Sequence, residues 1–289
     1  MNETTAAHTD TPLRDHRPRW HWPLVILGPV VALLVANFAT AGLAMLLLPD
    51  LNESELGPGQ VVAVVIGQSV AVCAIVIGLC ALLLKAHGLR LRDAGLRWTG
   101  ASAPSLLIGL GIAVAVVLAV GLPLQALGLL RAPEDLGLPV WALLTAGLFQ
   151  ALVLQGFGEE LLFRGYQMTA LRTRPVTAVL VSALVFGVIH LISSGGQESA
   201  LERVLYLATP FGFAVTAGAL VILTRSLWSA VGIHTGLHLG SIAGLLLGVG
   251  NGPWAWVITG AVFTLIGALL LVLAHRRGLL TDTWTGPTR

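Results

Sequence analysis

An all-α, polytopic membrane bundle of about eight helices is the fold class this sequence predicts, and three observations predict it. The 289 residues are 56% hydrophobic and only 10% charged, with a mean hydropathy of +0.87. Apolar runs of about 18 residues or more recur along the chain, which is the length a bilayer-crossing helix needs. The runs are continuous and rich in Leu, Val, Ala and Gly, whereas a transmembrane barrel shows alternating strands of about ten residues.

The elements follow in order. Residues 1–23 form a polar tail, and the first span, Leu24–Leu48, is too long for a signal-peptide core, so it reads as an anchored helix. Gln60–Leu84 follows; its Cys73 and Cys80 lie seven apart on one helix, too far to bridge, and read as buried apolar thiols. Lys85–Trp98 is an Arg-rich connection of interfacial character. The remaining spans are Ala103–Leu130, Val140–Leu171, Val176–Ile192, Leu201–Thr224, Leu227–Val249 and Trp254–Ala274, and residues 275–289 form a second polar tail. Val140–Leu171 is over-long for a bilayer, which predicts tilt or an extension beyond it. There is no internal repeat and no soluble domain; residues 24–274 form one transmembrane domain.

Loop charges orient this arrangement. Thirteen basic residues (Arg14, Arg17, Arg19, Lys85, Arg90, Arg92, Arg97, Arg172, Arg174, Arg225, Arg276, Arg277 and Arg289) fall in loops on one side. The opposite loops hold Arg131 and Arg203 among Asp50, Glu53, Glu55, Glu134, Asp135, Glu198 and Glu202. The positive-inside rule then places both termini in the cytoplasm. A single Lys beside fifteen Arg points to a bacterial coding background, and hence to the bacterial cytoplasmic membrane.

The remaining basic residue, Arg164, lies inside the fourth span with Glu159 and Glu160. A charge at the bilayer centre costs about 2.5–3.5 kcal/mol on insertion scales, so intramembrane ionisable residues are functional by default. Glu160 and Arg164 are four apart and share a helical face, which suits an ion pair, while Glu159 is rotated by about 100°. The spacing predicts a division of labour: Glu160 held by Arg164, and Glu159 available as a general base. A structural ion pair between helices is the plainer alternative. Taken alone, His190 in Phe186-Gly-Val-Ile-His190 could equally bond a neighbouring helix. His234 and His238 share a face of the seventh span, with Gly232, Gly236 and Gly240 on the opposite face, which predicts a helix packed on both sides. At about 1.5 Å per residue, Glu159, His190 and His238 lie about 20–22 Å from their cytoplasmic markers and His234 about 14 Å, so the four fall in one slab of the membrane.

These motifs, EExxxR, FxxxH and HxxxH on successive membrane helices, resemble the CPBP family of intramembrane glutamate proteases, which includes the CAAX prenyl endopeptidases of the Ras-converting type. The likeness covers roughly Val140 to Val249, with Glu-Glu-Leu-Leu-Phe-Arg-Gly-Tyr especially typical. It implies that Glu159 activates water with help from His190, that Glu160 and Arg164 support the site, and that His234 helps stabilise the oxyanion. His238 stands where the family has Asn or Asp; a neutral imidazole can replace the amide as a donor. The implied partners are a peptide or protein substrate and the bilayer, with no nucleic acid and no cofactor. Three alternatives accompany this reading. One is a zinc protease with His190, His234, His238 and Glu159 as ligands, although the HExxH arrangement is absent. The others are a degenerate immunity-type or scaffold protein and a proton-relay transporter.

Overall fold

A computed structural model describes residues 21–47, 56–133 and 135–280. Most of both polar tails, including Arg14, Arg17, Arg19 and Arg289, and the acids Asp50, Glu53, Glu55 and Glu134 lie outside the described residues. Among the described residues, eight helical spans are long and apolar enough to cross a membrane: α1 His21–Leu47, α2 Pro58–Ala86, α3 Ser102–Ala126, α4 Val140–Ala170, α5 Pro175–Ile192, α6 Ala200–Thr224, α7 Leu227–Leu246 and α8 Pro253–Arg276. Among the described residues there is no strand. The chain is a multi-pass membrane protein. Large apolar side chains such as Phe38, Leu107, Leu184 and Leu269 point outward from several spans, as lipid-facing surfaces require.

Differences from the expected boundaries have local causes. α3 stops at Ala126 rather than Leu130, where the chain turns through Gly128 at φ +69°. α7 stops at Leu246 rather than Val249: Gly248 takes φ +78°, and the Val249 N–H returns to the Gly244 carbonyl at 2.8 Å, satisfying an orphan helix-end acceptor. α5 is α-helical to Ile189 and then tightens into a 3-10 turn over His190–Ile192.

The largest departure is α4. It begins as an α-helix over Val140–Phe149, then runs as π-helix through Gln150–Glu159 and again through Leu161–Gln167. The even α-helical spacing assumed for this span therefore does not hold across the acidic motif. π-Turns hold more residues per turn, so the 31-residue span takes up part of its excess length by widening.

Polar groups inside the bundle are accounted for by neighbours. Pro29 has no N–H to bond the Val25 carbonyl, and Gln167 of α4 donates its Nε2 to that oxygen at 2.9 Å. Beside it the Tyr166 hydroxyl donates to the Leu24 carbonyl at 3.2 Å. Asn37 and Thr40 bond carbonyls one turn back in α1. The Lys85–Trp98 connection is more than interfacial: Ala94 is fully buried against α4 beneath Gly165, and Trp98 meets Trp228 edge-on at 4.6 Å. Both cysteines are free and buried.

α7 is packed on both sides, as its glycine and histidine faces predict. A Cβ on Gly232 would overlap the Leu106 carbonyl of α3, and one on Gly236 would sit 2.5 Å from the Leu110 carbonyl. On the other flank, Gly156 of α4 comes so close that a Cβ would lie 2.6 Å from Thr235 Oγ1. Backbone-to-backbone contact on two sides fixes the height and rotation of α7. Gly232→Ala is expected to push α3 away and to destabilise the protein by about 1–3 kcal/mol. Gly42→Ala, at a position with open space around it, is expected to leave the thermal midpoint in detergent unchanged or slightly raised.

Candidate active site

The two acids of α4 are consecutive and therefore face different surroundings. Glu160 is fully buried, and its Oε1 receives both the Arg164 guanidinium, at 3.0 Å, and His234 Nδ1, at 2.9 Å. Arg164 is also fully buried, and its guanidinium lies over the rings of Phe186, at 4.8 Å, and Phe213, at 5.5 Å. The negative ring faces supply part of the compensation that its Nε and second amino group, which lack hydrogen-bond partners, do not obtain otherwise. The expected Glu160–Arg164 pair is present, and Glu160 also anchors an imidazole.

Phe186 is the hub of this packing. Its ring contacts Phe163 edge-on at 5.0 Å, Phe213 at 5.6 Å, His190 at 4.6 Å and His234 at 5.9 Å. A smaller side chain there would loosen two histidines and the arginine together.

The tautomer of each histidine follows from its partner. His190 Nδ1 lies 2.7 Å from the Phe186 carbonyl, which only accepts, so Nδ1 carries the hydrogen and Nε2 is free to accept in the neutral ring. His234 Nδ1 donates to the Glu160 carboxylate held by Arg164, which again leaves Nε2 free. His238 stacks on His234, with centroids 5.1 Å apart and rings inclined by 25°.

Glu159, His190, His234 and His238 all line one cavity of about 940 Å³, together with Phe186 and Phe213. Glu160 and Arg164 stand behind its wall. Of the six residues singled out from sequence, four meet at the cavity and two brace it.

Sequence reasoning missed other parts of the cavity. Tyr206 and Trp256 line it and meet edge-on at 5.6 Å. Tyr206, one of two tyrosines in the chain and set in an apolar span, was a legible signal. Arg131, Glu198 and Glu202, read from sequence only as loop charges, form a clasp at the mouth. Arg131 pairs with Glu202, lies 3.3 Å from Glu198, and donates to the Gly196 carbonyl at 2.9 Å. Its backbone N–H bonds the Asn251 carbonyl at 2.9 Å, while Asn251 Nδ2 reaches the Gly195 carbonyl at 3.1 Å. Three loops are thereby joined over the cavity. Their pairing required long-range proximity that no local pattern encodes.

Among the described residues, no three His, Cys, Asp or Glu side chains group closely enough to hold a metal ion.

Residues 139–240 match the family model described as type II CAAX prenyl endopeptidase Rce1-like. This stretch is similar to Rce1-like CAAX endopeptidases. It contains Glu159, Glu160, Arg164, Phe186, His190, His234 and His238. No curated protein matches the chain in a direct comparison. The matched segment begins one residue before α4 and ends within α7, enclosing both acids of α4 and all three cavity histidines.

Proposed function

We propose that the protein is an intramembrane endopeptidase that hydrolyses a peptide bond of a membrane-associated or secreted peptide or protein, with Glu159 as the base that activates water. The observation that carries this reading is the presence of Glu159 and three imidazoles, all within the segment similar to Rce1-like endopeptidases, on the wall of one cavity. Glu159 takes a proton as the water oxygen bonds to the carbonyl carbon, and His190 Nε2 accepts the second water hydrogen, which orients the attack. The carbonyl becomes an oxyanion. His238 donates to it in place of an amide, and His234, fixed by the Glu160 carboxylate and stacked on His238, holds that donor ring in place. Collapse breaks the C–N bond, and Glu159 returns its proton to the leaving nitrogen.

This chemistry needs no metal. Purified wild-type protein is expected to cleave peptides from a library in the presence of EDTA, and Glu159→Gln protein is expected not to. Loss of wild-type cleavage on chelation, with stoichiometric zinc in the untreated protein, would sink the metal-free mechanism.

The charge asymmetry supports both termini inside, and a single Lys beside fifteen Arg supports a bacterial cytoplasmic membrane. The cavity mouth lies among the loops around Arg131, Ser194 and Asn251, at the opposite end of the bundle from Lys85, Arg90, Arg172 and Arg225. Substrate therefore reaches Glu159 from the outer face. Ser194→Cys is expected to react with a membrane-impermeant maleimide on intact cells and Arg92→Cys only after lysis. The buried native cysteines leave little background. The reverse labelling pattern would invert the topology.

A further inference from the structure

The widened turns of α4 have a consequence for substrate binding. In an α-helix advancing about 100° per residue, Gln150 and Glu159 would point about 180° apart. Over Gln150–Glu159 the helix is π, with bonds from i to i+5, so positions four or five apart fall on one face. Gln150, Gln155 and Glu159 have that spacing, and all three line the cavity. Their burial is graded: Gln150 is exposed, Gln155 half-buried and Glu159 buried. Among the described residues, no hydrogen bond engages either glutamine side chain. Two carboxamides thus stand in line between the mouth and the candidate base, with donors and acceptors unspent.

We propose that Gln150 and Gln155 are positioning residues that bind the main chain of an extended substrate peptide and lead its scissile bond to Glu159. This rests on the peptidase reading above. The chemistry is complementary: a carboxamide pairs at once with a main-chain N–H and a C=O, and a peptide leaving water for the membrane interior must satisfy both. Nine residues of helix cover at most about 13 Å, which corresponds to about four residues of an extended strand. The site therefore takes an unfolded segment of at most about four residues on one side of the cleaved bond. It reads backbone rather than side chains, which predicts broad sequence tolerance.

The test uses full-length protein in detergent and a quenched-fluorescent peptide selected from a library for binding to the wild type, together with analogues N-methylated at successive positions. Gln155→Leu and Gln150→Leu are expected to raise KM about tenfold each with kcat nearly unchanged, and to leave the thermal midpoint unaltered. Gln155→Met guards against a packing defect specific to leucine. In the Glu159→Gln background, the Kd of the same peptide is expected to rise by the same factor. N-methylation at a bound position should weaken wild-type binding and have little further effect on Gln155→Leu, the non-additivity that marks a direct contact.

A fall in kcat with KM and Kd unchanged would overturn the proposal and assign the glutamines to water supply. Additive effects of N-methylation and Gln155→Leu would also overturn it, as would a library in which no peptide binds. If Glu159→Gln cleaves at the wild-type rate, the base assignment fails, and the Kd comparison still decides the role of the glutamines.

Discussion

Glu159→Gln is expected to lower kcat by about 10²–10⁴-fold while leaving KM and the thermal midpoint close to wild type. The carboxamide has nearly the same shape as the carboxylate and does not take up a proton from water. Stability is spared because the buried ion pair belongs to Glu160, whose Oε1 binds Arg164 and His234, and not to its neighbour on the cavity wall. His190→Ala removes an orienting acceptor rather than the base, so its loss of rate should be smaller. Steady-state kinetics on purified protein checks both. Wild-type turnover by Glu159→Gln would leave the cavity without its proposed base, and equal losses at Glu159 and His190 would argue that the two act as one unit.

The second large effect concerns stability. Arg164→Met leaves Glu160 buried without its cation, and breaking a buried pair from one side costs about 3–5 kcal/mol. A fall of about 10 °C in the thermal midpoint in detergent is the expected reading. The double variant Glu160→Gln/Arg164→Met removes both charges and is expected to recover most of that loss, since an apolar replacement of a buried pair is often neutral. Activity should not return with it, because His234 has lost the carboxylate that sets its tautomer. Full stability in the single variant would show that the pair is not an essential part of the fold.

Much of this organisation is legible in the residues alone. Eight apolar runs mark eight spans, because lipid demands long uninterrupted helices. The glycines and histidines on opposite sides of α7 announce a helix packed on both flanks, and Leu106 of α3 and Gly156 of α4 are the neighbours on those two flanks. Counting residues brings Glu159, His190, His234 and His238 to one depth. What stays hidden depends on partners distant in the chain. The bond between Glu160 and His234 joins residues 74 apart, and the clasp at Arg131 joins three loops. The π-character of Gln150–Gln167 is hidden for a different reason. α- and π-turns share backbone geometry closely enough that residue type alone does not separate them; Gly156 and Gly158 before the acids are its faint trace.

The thin wall between the two acids also bears on inhibition. A single residue step along α4 separates a carboxylate on the cavity wall from a sealed one, so a compound filling the cavity meets Glu159 and three imidazoles, while Arg164 stays out of reach behind Glu160. Arg131 is the guanidinium on the cavity wall, and it stands at the rim. An anionic warhead would therefore be held at the mouth. A neutral, hydroxyl-bearing mimic of the hydrated amide is the chemotype matched to the floor of this cavity.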